Sequence, residues 1–230
     1  MRMWQTIRAS SLARHSHNSP YVALVLSGSY EEAGDLGRFH VRAGDVLLHD
    51  RFEAHIDRFA AAGATVLNLS LRPGQVFAPG AGAVSDPDLV ARQAEQSRSA
   101  ATELLLSLVQ RCAAKIADWP DKLAADLIHD PSIRLSAWAE EEGLAPWTIS
   151  RGFAQVFGIS PEAFRARVRS RQAWKAVQRT ERPLAEIALQ SGFADQAHMT
   201  RSVKQVTGMS PQAWRLANRF KTTCFPIAKT

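Results

Sequence analysis

The chain has almost no cysteine: Cys112 and Cys224 are the only two in 230 residues. Two thiols are too few for a disulfide framework or a cysteine-ligated zinc centre. Two reduced thiols in a cytoplasmic protein are the expectation. Long apolar runs are also missing, and no stretch reaches the ~20 residues of a membrane span. The opening residues, Met1 to Arg8, lack the apolar stretch of a secretory leader. Acidic residues are scarce in one half only. Residues 131–230 hold 15 Lys+Arg against 7 Asp+Glu, a surplus of +8, whereas residues 1–130 carry −2. The basic surplus therefore lies wholly in the second half, where it suits a phosphate-binding surface. Charge alone is also compatible with a merely solvated face.

What the chain does have is a repeat. Arg151–Arg165 recurs as Arg201–Arg215, with eight of fifteen positions identical. Self-similarity at a fixed period signals one supersecondary unit used twice. The repeat extends upstream: Leu135, Ala139 and Gly143 match Leu184, Ala188 and Gly192. Leu144 to Arg151 takes seven steps and Phe193 to Arg201 takes eight, so the second turn holds one extra residue. Each copy reads as a short helix, a glycine-containing turn and a second helix. That is the helix-turn-helix arrangement, whose second helix can enter the DNA major groove. Apolar stripes support it: Leu135, Trp138 and Ala139; then Ile149, Phe153 and Val156; then Met199, Val203 and Val206. Ser160-Pro161 opens a longer helix over about 161–178, and Ser210-Pro211 a short final one with Trp214.

The second copy, Leu184 to Arg201 followed by Gly208 to Arg215, resembles the signature of the arabinose-regulator (AraC/XylS) family of bacterial transcription factors. The resemblance covers about residues 120–218. It implies two helix-turn-helix subdomains joined by a central helix, with recognition helices entering successive major grooves. An 18-residue helix spans roughly 27 Å, the order of the ~34 Å between such grooves. The resemblance places DNA contact on Trp147, Ser150 and Arg151, and on Gln196, His198, Thr200 and Arg201; Gln155 is a further exposed candidate. Arginine can bond guanine bidentately and glutamine adenine. Either arginine could instead hold phosphate, which positions without specifying, and Trp147 could pack on its own turn. Of Arg165, Arg167, Arg169 and Arg171 on the central helix, some are expected at phosphate and some in solvent. Ala145 stands where the family has a capping serine, a loss of about 1 kcal/mol that Pro146 partly offsets.

The first half reads as β. Tyr21–Leu26, Phe39–Val41, Val46–Leu48 and Thr65–Leu71 are strand-like, with turn chemistry at Glu32–Gly37 and Ala43–Asp45. Arg72–Gly74 and Pro79–Gly82 read as an exit loop. Ser85-Asp86-Pro87 then caps a helix. Ser99–Asp118 carries Leu104, Leu105, Leu108, Cys112 and Ile116 at helical spacing, a stripe that either packs on its own chain or forms a dimer seam. Another helix runs from Trp119 to about His129. His15, His17, Gly44-Asp45 and His55 resemble the cupin barrel often found ahead of this DNA-binding module. In enzymatic cupins two histidines, a glutamate and a later histidine hold a divalent metal. His15, His17 and His55 match the histidines, but Tyr21 stands where the glutamate belongs. A divalent metal on the three imidazoles, or a pocket lined by neutral histidines, is what the resemblance offers. His49 and Asp50 are further polar candidates at the pocket mouth, and His40 is a weaker one.

The expected architecture is α+β in two domains: a cupin-like β-barrel sensor over 1–82, a helical linker or dimerisation segment over 83–118, an all-α double helix-turn-helix domain over 119–220, and a tail over 221–230. The expected function is a sequence-specific transcription regulator and not an enzyme. Its partners would be double-stranded DNA, a small-molecule effector, RNA polymerase if it activates, and a second copy of itself. A metal-dependent cupin isomerase or dioxygenase with a DNA-binding tail, and an effector-independent regulator, are the rival readings.

Overall fold

The computed structural model describes residues 4–72, 75, 77–112 and 118–223, with only the backbone of 219–223. It divides into two compact units, Met1–Ala125 with Trp147–Ser160, and Asp126–Pro146 with Pro161–Thr230. Among the described residues no helix is long and apolar enough to cross a membrane.

The first unit is built on one eight-stranded antiparallel sheet. In chain order its strands are β1 (Gln5–Ile7), β2 (Ser11–Ser16), β3 (Tyr21–Gly34), β4 (Gly37–Arg42), β5 (Asp45–His49), β6 (Ala54–Ser70), β7 (Gly80–Ala83) and, after two helices, β8 (Gln110–Cys112). The long strands β3 and β6 pair along most of their length, from Tyr21↔Ser70 to Gly34↔His55. Each takes different outer neighbours at its two ends. β3 pairs with β5 near its start and with β4 near its end; β6 pairs with β2 and then β1. The bend comes at Gly28, whose φ is +74° and where a side-chain carbon would lie 2.0 Å from Gly63 O. Only glycine fits so close a backbone crossing at positive φ. β3 and β6 are longer than the strand readings from sequence, and β1 and β2 extend the β region upstream of residue 20.

Two helices follow the sheet: α1 (Pro87–Gln96), capped by Asp86 Oδ1 accepting from Leu89 N at 2.8 Å, and α2 (Arg98–Leu108), capped by Ser97. Val90, Ala94, Ala101 and Leu105 are buried with Val22, Leu24, Leu67 and Leu69 of the sheet. Of the predicted stripe, Leu105 packs on the sheet, whereas Leu108 and Cys112 are exposed. Two expectations change here. The helix does not run to Asp118: it ends at Leu108, Val109 is extended, and Gln110–Cys112 pairs with β7 as a strand. Gly80–Ala83, expected as exit loop, is the strand that receives it. A β-carbon on Gly82 would lie 2.6 Å from Val109 Cγ2, so the glycine permits that approach. Within the expected linker, the described residues 83–112 cluster with the sheet in one compact unit. Ile116 and Cys224 lie outside the described residues.

The remaining helices are α3 (Trp119–His129), α4 (Leu135–Glu141), α5 (Pro146–Phe157), α6 (Pro161–Arg179), α7 (Leu184–Gln190), α8 (Gln196–Thr207) and α9 (Pro211–Thr223). α5 from Trp147 onward belongs to the sheet unit. In the second unit α6 contributes Phe164, Val168, Ala173, Trp174 and Val177 to the core, with Met199 and Val203 of α8 and Trp214 of α9 also buried. Trp174 and Trp214 meet edge to face at 5.8 Å. Trp138 Nε1 donates to Asp126 Oδ2 at 2.8 Å, tying α4 to α3.

Candidate functional site

The two copies of the repeat share their turn geometry. Leu144 N donates to Ala139 O, and Phe193 N to Ala188 O, each at 2.9 Å. Gly143 and Gly192 take φ of +65° and +74°. This is the Schellman end, whose left-handed residue is usually glycine. Gly158 and Gly208 end the following helices in the same conformation, at +72° and +76°.

The helices after the turns differ in how they are held. α8 buries Met199, Val203 and Thr207. Asp195 caps it, its Oδ1 accepting from His198 N at 2.7 Å. Gln196, His198, Arg201 and Gln205 are exposed, while Thr200 is half-buried. His198 also sets its ring edge-on against Phe193 at 5.2 Å. α5 buries Ile149, Phe153 and Phe157; Phe157, rather than Val156, completes the stripe. Trp147 is 69% exposed, so it does not pack on its turn, and Ser150, Arg151 and Gln155 are exposed with it. The central-helix arginines are largely committed to structure. Arg165 donates to Ile133 O and Arg169 to Pro131 O, and Arg171 is buried.

A second candidate site lies inside the sheet. β6 alternates, sending His55, Asp57 and Phe59 inward, and the neighbouring strand β2 adds Leu12 and His15, the latter paired directly with His55. With His17, Tyr21, Tyr30 and Glu32 they line a cavity of about 100 Å³. A wider recess of about 360 Å³, bordered by Asn18, Ser19, Asn68 and Ser70, shares His17 and Tyr21 with it. The rings form a chain: His15–His55 at 4.4 Å, His15–His17 at 5.0 Å, His49–His55 at 4.8 Å, and Tyr21 stacked on His49 at 4.4 Å. His40 stands apart, exposed on β4 beside Glu31.

The cluster holds two groups of ligating atoms, His15/His17/His55 and Glu32/His49/His55, each with its atoms within 4.8 Å of one another. Sequence reasoning brought the first three together but missed Glu32. Reading Glu32–Gly37 as a turn hid it; the alternation of β3 through Tyr30 and Glu32 was the available signal. His49 belongs to an ionic group instead of the pocket mouth. Its Nε2 is 3.6 Å from Glu32 and its Nδ1 3.3 Å from Glu53, all three buried. Burial alone would lower His49, but the charge of Glu32 and the hydrogen bond from Glu53 outweigh it and lift it to about 9. Burial raises Glu32 to about 8 and Asp57 to about 6. Burial and then the charge of His49 push His55 down to about 2, so its imidazole is neutral. His17 is lowered too, chiefly by burial. His15 Nδ1 donates to Ala13 O at 2.9 Å, so Nε2 is the ring nitrogen left to face a ligand. His55 Nδ1 and Asp57 Oδ1 are buried with no hydrogen-bond partner. Neutral imidazoles with a free lone pair fit a divalent ion, and a backbone bond on the other nitrogen is the usual support for such a ligand.

Residues 138–217 match a family model described as a helix-turn-helix domain. The chain is 32% identical over 91 residues to the arabinose operon regulatory protein of Escherichia coli K12, covering 40% of this chain and 31% of that protein. The C-terminal region is a helix-turn-helix domain, and it is similar to those of AraC/XylS regulators. The chain is also 32% identical over 101 residues to the transcriptional activator RhaR of Klebsiella pneumoniae, covering 43% of this chain and 36% of that one. It thus spans about a third of the length of these relatives. Among solved structures, unsaturated-fatty-acid-bound ToxT from Vibrio cholerae is 11% identical, with a TM-score of 0.43 over 93% of this chain and 95% of that one.

Proposed function

We propose that the protein is a sequence-specific DNA-binding transcription regulator whose sheet unit binds a small effector. The observation that carries this is the pair of helix-turn-helix units similar to those of AraC/XylS regulators: the same glycine-ended first helices, unequal exposed rows. α5 offers Trp147, Ser150, Arg151 and Gln155; α8 offers Gln196, His198, Thr200 and Arg201. Two readers with one frame and different faces suit an asymmetric site, with Arg151 and Arg201 bonding guanine and the glutamines adenine. We read the protein as no enzyme, because the relatives it matches are regulators. RNA polymerase is the further partner if it activates, and a second protomer the partner on paired sites.

The effector site is the histidine cavity. A divalent metal on His15, His17 and His55 is favoured by the hydrogen bond that fixes His15 with Nε2 free. Elemental analysis of protein purified without an affinity tag tests that version, and less than roughly a tenth of an equivalent retires it.

Genome-wide footprinting followed by binding to the recovered fragments tests the main reading. Affinity should fall by about 10³ or more between 50 and 200 mM salt, as counterions leave the phosphates. A flat salt response, or no recovered sites, contradicts it.

A further inference from the structure

The strands that line the cavity on one face hold the end of α5 on the other. On β2 the register shifts between Leu12 and His15, and this bulge turns Arg14 outward while Leu12 and His15 face in. Arg14 Nη1 donates to Phe157 O at 2.8 Å, and its Nη2 pairs with the buried Asp35. On β6, Arg58 lies between the inward His55/Asp57/Phe59 positions. Its Nη2 donates to Gln155 O at 2.5 Å and its Nη1 to Glu31 Oε1 at 2.9 Å. Ile56 of the same strand would touch a β-carbon on Gly158 at 3.3 Å.

These contacts have a chemical logic. The last carbonyls of a helix have no partner within it and carry partial negative charge. Guanidinium groups are the fitting donors, and here each is anchored by a carboxylate, so the donors are held before the helix arrives. Asp35 is fixed in turn, accepting from Ala54 N at 3.0 Å. A further restraint acts on the middle of the helix. A β-carbon on Gly152 would lie 2.5 Å from Trp119 Cζ2. The equivalent residue of the second copy is Ser202, so the repeat diverges where the first copy is held.

We propose that the outer face of the sheet, through Arg14, Ile56 and Arg58, is a docking surface for the C-terminal end of α5, and that β2 and β6 couple this docking to the cavity. Neighbouring residues on each strand serve the two sides: Arg14 beside His15, Arg58 beside Asp57. A ligand that draws His15 and His55 together must move the strand segments that carry the two guanidinium groups. It then shifts α5 only by its differential affinity for the docked and released arrangements. The docking stands on geometry; its bearing on DNA rests on the reading of α5 as a recognition helix.

Hydrogen exchange on the full chain tests it without DNA. Arg58→Ala should speed exchange of the amides of 154–158 about fivefold or more while α8 and β5 keep wild-type rates. Arg14→Lys, which keeps the charge and loses the forked geometry, should do the same, and unlike Arg14→Ala it keeps a cation beside the buried Asp35. Unchanged exchange at 154–158, or faster exchange throughout the molecule, overturns the docking. His55→Gln, on the cavity side, should shift the rates of the same five amides. If it leaves them alone while Arg58→Ala moves them, the coupling is overturned. A protein that shows the selective exchange but binds no DNA keeps the docking and overturns the regulator reading instead.

Discussion

Stability should fall as pH rises from 7 to 9.5, because a buried imidazolium is part of the fold. His49 sits between Glu32 at 3.6 Å and Glu53 at 3.3 Å, with Tyr21 stacked on it. Its folded value is raised to about 9 from 6.5. A raised value means that the folded state binds the proton more tightly. The stabilisation is therefore complete below about 6.5 and is lost as pH climbs through 9. At 1.36 kcal/mol per unit, the loss is about 2–3 kcal/mol. Glu32, raised to about 8, adds in the same direction between 4.5 and 8. His55 works oppositely: lowered to about 2, it favours the fold above 6.5 and costs stability only on acidification. Tyr21 and Tyr30 are raised above 10, so their effect lies beyond the window. The assay is urea unfolding at half-unit steps of pH, in wild type and in His49→Gln. A wild-type profile flat within about 0.5 kcal/mol over that window, or an equally steep one in His49→Gln, refutes the ionic group.

Asp195→Ala removes the cap of α8 and should cost about 1 kcal/mol of stability, read by thermal unfolding, and should slow or weaken binding at the half-site read by that helix. Leu105→Ala, at a fully buried position facing Val22 and Leu67, should cost about 2–5 kcal/mol without changing oligomeric state by light scattering. A dimer that dissociates in this variant, with the monomer still stable, would mean that α2 faces a second copy.

The helical half was legible because its punctuation is chemical. Pro87, Pro146, Pro161 and Pro211 open helices, and Gly143, Gly158, Gly192 and Gly208 close them at positive φ, so both ends were marked in the sequence. The sheet was less legible. β2, Ser11–Ser16, is short and polar, and its pattern is broken by the bulge at Ala13–Arg14. β8 was hidden because Cys112 continues the spacing of Leu104, Leu105 and Leu108; nothing local says that Val109 leaves the helix, and the decision is made by the free edge of β7. His15, His17 and His55 could be grouped from their resemblance to a known barrel. Asp57 and Glu53 could not: the role of Asp57 depends on which face of a long bent strand it occupies, and Glu53 lies in the turn between β5 and β6. The arginines show the same limit. Arg14 and Arg58 look like ordinary surface charges until the strand register turns them onto the end of α5.

Binding of Arg151→Ala and Arg201→Ala to a systematic panel of single-base changes in a recovered site tests the regulator reading most directly. Each variant should lose about 1–3 kcal/mol and become indifferent to the base at one position, with the two positions about one helical turn, roughly 10 base pairs, apart. If both variants weaken binding equally on every sequence, the two arginines hold phosphate and the assignment of two distinct readers is wrong.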